Sequence, residues 1–349
     1  MIKTNATNGT RNRQRSLALV PGVGLLVATA LAACDVGETV DEEDTEAATS
    51  DDEILRFAHV YDASHPVETC GVPAIQEHLE GSGINIESYP SAQLGNEAES
   101  LEQIANGGLD IAVAGPSFLG VWHEPAAVLD GAYLFDDVDH FIETVNGEEI
   151  TQIHDDLYEE SGIRVMSTWY YGTRHVTSNV PVNSPEDLAG VKLRTPDAPL
   201  YLTNIEGMGG TATPMALDEV YTALQQGVLD AQENPVPTIA SSGFHEVQDY
   251  INLTGHMVQA VHTVTHDGVY DSLDDEQAAL LDEAMDEASE AVRECIVSEE
   301  EEFIEEWKGS DEIEVVEDVD REAFADAVAD HLPDEVPWGD LYLEIRGTP

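Results

Sequence analysis

The chain has 349 residues, enough for two domains of ordinary size, and 42% apolar residues, enough to build real cores. Its 71 Asp and Glu face 13 Lys and Arg, a formal net charge of −58, which leaves no large cationic face for nucleic acid or anionic lipid. Four cations lie in the first fifteen positions and no acid precedes Asp35, so from Cys34 onward nine cations remain and the net charge is −62.

At molar salt the screening length falls to about 3 Å, and a surface this acidic repels itself far less there. The charge is read as the mark of an extreme-salt habitat. Residues 1–16 are polar and basic, and 17–33 form one uncharged apolar run. This is the pattern of an export signal; the run is short for a membrane span and is broken by Pro21, Gly22 and Gly24. Leu31-Ala32-Ala33-Cys34 resembles a lipobox, so Cys34 is the expected lipid-attachment residue of a protein held on the outer face of the cell membrane. The stretch 34–53 holds ten acids and neither cation nor aromatic, the composition of a solvated tether.

From residue 54 onward strands and helices alternate. Strands are predicted at 54–60, 84–89, 109–114, 163–169, 175–177 and 191–194. Helices are predicted at 66–80, 96–106, 184–188 and 217–226, several closed by glycine. The β-α-β rhythm points to an α/β fold with parallel sheets. Apolar residues then recur at helical spacing from Ser272 to Lys308 without Gly or Pro. That helix would span about 55 Å, enough to brace two domains. Cys70 and Cys295 could pair outside the cell or remain free thiols, and spacing leaves both readings open.

The chemical motifs are mostly absent. There is no G-x-S-x-G, P-loop or H-E-x-x-H, so no catalytic set and no cofactor is expected. Gly207-Met208-Gly209-Gly210 reads as a turn, and His262-x-x-x-His266 lies in a stretch that prefers a strand, where a metal is not expected. Adjacent carboxylates arise here from composition alone. The informative residues are the scarce cations. Arg174 follows the aromatic run Trp169-Tyr170-Tyr171, and Arg194 ends a short strand before Thr195-Pro196. Strand ends are where open α/β sheets place ligand-binding groups, and a guanidinium clamps a carboxylate with two parallel bonds.

Four segments together, 55–66, 89–115, 170–196 and 212–235, resemble the DctP family in order and spacing. These are the extracytoplasmic solute receptors of tripartite ATP-independent periplasmic (TRAP) transporters. The resemblance implies a periplasmic-binding-protein-like α/β fold of two lobes, a cleft between them and one long helix across both. Lobe I is expected at 54–172 plus 260–299, lobe II at 173–259 plus 300–349. It further implies that Arg194, the Arg of K-x-R-x-P, pairs with a ligand carboxylate. Arg174 and Asn234 are implied ligand contacts, with Trp169 and Leu217 beside them; Leu217 stands where many members carry Phe. The segment Ala114–Phe118 lacks the Glu and Arg that sialic-acid-type members place there. A smaller acid is therefore implied, a C4-dicarboxylate or a 2-oxo or hydroxy acid. The implied partners are that acid and the small and large TRAP membrane subunits. A receptor of an ATP-driven importer shares the two-lobed shape, and a secreted hydrolase would need a nucleophile set that the sequence does not display.

Overall fold

The computed structural model describes residues 52–347, which belong to one compact unit. The expected export signal at 1–33, the expected lipid-attachment residue Cys34 and the acidic stretch through residue 51 lie outside the described residues. The strands are β1 (Glu53–Ala58), β2 (Ile84–Tyr89), β3 (Ile111–Ala114), β4 (Arg164–Ser178), β5 (Lys192–Thr195), β6 (Thr211–Pro214), β7 (Ala231–Pro235), β8 (Tyr250–Thr265) and β9 (Glu314–Val316). They form one sheet in the order β2-β1-β3-β8-β4-β7-β5-β6, with β9 beside β8.

Two parallel triplets make up the ends of this sheet, β2-β1-β3 and β7-β5-β6. The long antiparallel pair β4–β8 joins them, because β3 runs antiparallel to β8 and β7 antiparallel to β4. The registers fix the geometry of the site. β3 ends opposite His262 of β8, and β7 ends opposite Arg174 of β4. The carboxyl ends of both triplets thus point at each other across residues 168–174. Apolar residues of both triplets, Phe57, Ile111, Leu193 and Ala231 among them, are buried beneath the helices.

One difference from the sequence reading concerns β4. Two short strands are predicted, and a single 15-residue strand is found. Register shifts fall between Tyr170 and Gly172 and again between Arg174 and Val176, so the two-residue alternation is lost where the strand is bulged. Gly172 has φ +122°, and a Cβ there would meet Pro235 Cβ at 2.7 Å. Only glycine suits that position. The predicted helix at 66–80 is likewise divided, into a wide turn Val67–Gly71 and a helix Val72–His78.

The long helix runs from Asp275 to Lys308, 34 residues. Asp274 caps it, its carboxylate accepting from Glu276 and Gln277, which places its start three residues later than predicted. Its buried face, Leu281, Ala284, Met285, Ala288, Val292 and Ile296, packs on β4, while other turns meet residues 67–78 and the helix Val236–Ser241. A disulfide joins Cys295 on this helix to Cys70, closing a loop with a sequence separation of 225. Reduction is expected to lower unfolding stability by about 2–5 kcal/mol. Scanning calorimetry with and without reductant in molar salt checks this, and superimposable transitions would count against the crosslink's role.

Candidate ligand-binding site

Arg194 stands at the carboxyl end of β5, in register with Gln232 of β7. Its side chain is 2% exposed. Nε and Nη2 donate to the Met215 carbonyl, at 2.9 and 2.6 Å, and buried Nη1 has no partner among the described residues. Burial lowers its pKa to about 10, against the pull of Glu233, so it stays charged at neutral pH. A buried guanidinium nitrogen left unsatisfied calls for a partner.

Arg174 is arranged differently. Nε and Nη2 bind the Glu233 carboxylate, Nη2 also reaches the Glu233 carbonyl at 2.6 Å, and Nη1 donates to Gln259 Oε1 at 2.6 Å. Every nitrogen is engaged, and the guanidinium also lies 5.5 Å from the centroid of Tyr201. Glu233 receives Thr195 Oγ1 at 3.0 Å and contacts His256 Nε2 at 3.1 Å. Burial alone would raise this carboxyl; Arg174 and His256 overcome it and hold the pKa at about 2.

Around these lie groups from the other triplet. Glu97 opens the helix Glu97–Ala105 after the Asn96 cap. Its Oε1 accepts from the Gly115 amide at 3.3 Å, just beyond β3. Burial pushes its carboxyl up to about 7, although Gly115 and Arg194 pull it down. Asp130 accepts from Ser117 N and Oγ at 2.8 and 2.7 Å, and burial raises it to about 6. Gln259 donates to Asp130 Oδ1 and the Tyr201 hydroxyl and accepts from Arg174, and so links Asp130 to Arg174. An aromatic wall completes the cluster. Tyr61 lies 4.7 Å from His65 and 4.9 Å from Tyr171 between ring centroids. Thr238 ties this wall to the second triplet, touching His65 Nε2 at 3.2 Å and the Tyr171 hydroxyl at 2.6 Å.

The structure therefore brings Arg194, Arg174 and Asn234 together; Asn234 sits beside His175 of β4 and donates to Gln232 Oε1 at 2.7 Å. Leu217 starts the helix Leu217–Gln225, two residues past Met215, and packs half-buried against apolar core residues. Trp169 belongs elsewhere. Its indole donates to the Met285 carbonyl at 3.1 Å and stacks on Phe57, inside the core under the long helix. Of the histidine pair, His262 bonds Thr168 and faces His154, while His266 caps the helix Asp267–Ser272. No group of three metal-ligating side chains exists among the described residues. Sequence reasoning missed Glu97, Asp130, Tyr201, Glu233 and Gln259. Glu97 and Glu233 lie inside the familiar segments, but an excess of acids hid them.

The sequence profile of bacterial extracellular solute-binding protein family 7, DctP, matches residues 72–335. The chain is 34% identical over 228 residues to the sialic acid-binding periplasmic protein SiaP of Vibrio cholerae, covering 65% of this chain and 71% of that one. It is 31% identical over 273 residues to the 2,3-diketo-L-gulonate-binding periplasmic protein YiaO of Escherichia coli, covering 76% and 81%. A crystal structure of a TRAP periplasmic solute-binding protein from Roseobacter denitrificans with bound L-galactonate superposes with a TM-score of 0.78 at 28% identity, covering 85% of this chain and 99% of that one. In sequence and in its two-lobed α/β fold, the chain belongs to the DctP family of extracellular solute-binding proteins.

Proposed function

We propose that the protein captures a small organic acid between its lobes, with the ligand carboxylate on Arg194, and delivers it to the small and large membrane subunits of a TRAP transporter. The observation that carries this reading is the buried Arg194 guanidinium with an unpartnered Nη1 at the facing strand ends. A charge-assisted bond in such a setting contributes about 1.5–3 kcal/mol, and screening by salt is weak there. Asn234 is a polar contact of the ligand, and Arg174 holds Glu233 and Gln259 in position around it. Leu217 flanks the ligand from the Met215 side. No catalytic role enters this reading.

The bulges around Gly172 support lobe boundaries at 54–172 plus 260–299 and 173–259 plus 300–349, because β4 bends there. Closure of the lobes would give the membrane partner a shape to read. No helix among the described residues is long and apolar enough to cross a membrane. In this reading the receptor works outside the cytoplasm, tethered through lipid on Cys34.

A thermal-shift series of small organic acids in molar salt tests the proposal. Acids that bind raise the melting temperature by mass action, and Arg194→Met erases the rise. A rise that survives Arg194→Met would overturn the assignment.

A further inference from the structure

We infer that Glu300 of the long helix is a positioning residue for closure of the lobes: its carboxyl clamps the bend of β4, and the proton it carries makes closure depend on pH. This goes beyond the reading of the ligand and rests on the proposed lobe boundary after residue 172.

The clamp spans the bend. β4 shifts register against β8 between Tyr170 and Gly172, so two residues of β4 face one of β8. Glu300 Oε2 accepts from the Tyr170 hydroxyl at 3.0 Å, before the shift, and Oε1 accepts from the Thr173 amide at 2.6 Å, after it. Gly172 is pressed between them, and a Cβ there would meet Glu300 Oε1 at 2.9 Å. A swing of one lobe about this bulge lengthens one of the two bonds. The helix cannot simply follow, because Cys295, little more than a turn earlier, is joined to Cys70 of the proposed lobe I. The clamped stretch also carries the site. Tyr171 belongs to the aromatic wall, and Arg174 follows Thr173 and grips Glu233 and Gln259.

Among the described residues no cation is bonded to Glu300. On β4, Arg164 pairs with Asp267 and Arg174 with Glu233, which leaves the Tyr170 hydroxyl as the titratable group that touches it. In the stretch 67–78, Glu68 is bonded to His59, His78 faces Glu283, and Glu77 is the remaining acid. The helix Val236–Ser241 carries no titratable group, His245 beyond it stacks near Trp307, and β9 brings Glu314. On the long helix itself Arg293 pairs with Glu290 and Lys308 with Glu305 and Glu317, while Glu299, Glu301 and Glu302 add only like charge.

Burial pushes the Glu300 carboxyl up to about 7, although the Thr173 and Tyr170 bonds pull it down. Burial and Glu300 together raise Tyr170, so its hydroxyl stays protonated. A neutral Glu300 keeps both contacts, accepting from Thr173 and donating to Tyr170. An opened bend admits water and returns the carboxyl to its ordinary value of 4.5. The closed-form value lies above this, so the support Glu300 gives to closure is complete below about 4.5 and is lost as pH rises through about 7. Between pH 6 and 8 one such proton shifts the balance of closed to open forms about tenfold.

Small-angle X-ray scattering from the empty receptor in molar salt reads this balance without a ligand. The wild type is expected to expand in radius of gyration from pH 6 to pH 8. Glu300→Gln, which mimics the neutral acid, is expected to keep its pH 6 value, and Glu300→Ala, which loses both bonds, to be expanded at both. Calorimetric titration with L-galactonate, succinate and 2-oxobutanoate extends the test to the site. For any of these that binds, the affinity of Glu300→Gln relative to the wild type is expected to rise about tenfold from pH 6 to pH 8. Glu97 and Asp130 titrate in the same range but are present in both proteins, so the ratio cancels them. A wild-type radius that ignores pH, a Glu300→Gln radius that follows the wild type, or a flat affinity ratio overturns the inference. If none of the three acids binds, the scattering decides alone. Each of these failures leaves the Arg194 reading standing, which Arg194→Met tests by itself.

Discussion

Arg194→Met is expected to weaken binding of the cognate acid by at least about 2 kcal/mol, some thirtyfold, without destabilising the empty receptor. The two halves of this expectation have one cause. Among the described residues the buried guanidinium bonds only the Met215 carbonyl, and Nη1 is unsatisfied. Burial lowers its pKa, which means that the fold holds its charge at some cost. An apolar side chain of similar length removes that cost, so the melting temperature of Arg194→Met should match or exceed that of the wild type. With ligand present the balance reverses, because the variant leaves a carboxylate buried without a counter-charge. Arg194→Lys keeps the charge but not the fork, and should recover only part of the affinity. Paired calorimetry, thermal for the empty protein and isothermal for binding, measures both. A variant that loses stability and affinity together would show Arg194 to be a structural residue.

The sequence carried the architecture through patterns that are local. Parallel strands such as 84–89 and 109–114 read clearly because alternation or an unbroken apolar run marks them, and turns closed by glycine mark the helices between. What was not legible is what long-range pairing decides. β4 and β8 are continuous strands of 15 and 16 residues. Their polar buried residues, Gln259 and His262 among them, break any alternation: Gln259 meets Arg174 and Asp130, and His262 bonds Thr168 beside the His154 ring. The disulfide between Cys70 and Cys295 spans most of the chain, and only folding brings its ends together. Arg194 stood out in sequence because cations are rare here. Glu97 and Glu233 did not, because acids are common, and rarity is the only signal composition offers. Trp169 stands close to Arg174 in the sequence. The strand separates them: five positions along an extended strand span about 17 Å, which leaves Trp169 in the core.

Glu233→Gln is expected to cost about 3–5 kcal/mol of unfolding stability, the largest effect of a single substitution outside the apolar core. Glu233 is 1% exposed and, among the described residues, is the only carboxylate paired with Arg174, which is also buried. The amide cannot balance that charge, so Arg174 is left desolvated with Gln259 and the Glu233 backbone alone. The double variant Arg174→Met, Glu233→Leu removes both charges and should lose less than the single one, since no uncompensated ion remains. The same pair sets the acid response. The folded-state pKa of Glu233, about 2, lies below its ordinary value of 4.5, so its contribution is complete above about 4.5 and is lost as pH falls toward 2. Urea unfolding of the wild type in molar salt should therefore show stability falling across that window, and the double variant should show a shallower fall. Because Glu233 precedes Asn234 and braces Thr195 beside Arg194, the single variant should also bind its acid more weakly. If Glu233→Gln unfolds at the wild-type midpoint, Arg174 has another source of compensation, and its claim to meet the ligand directly becomes the stronger one.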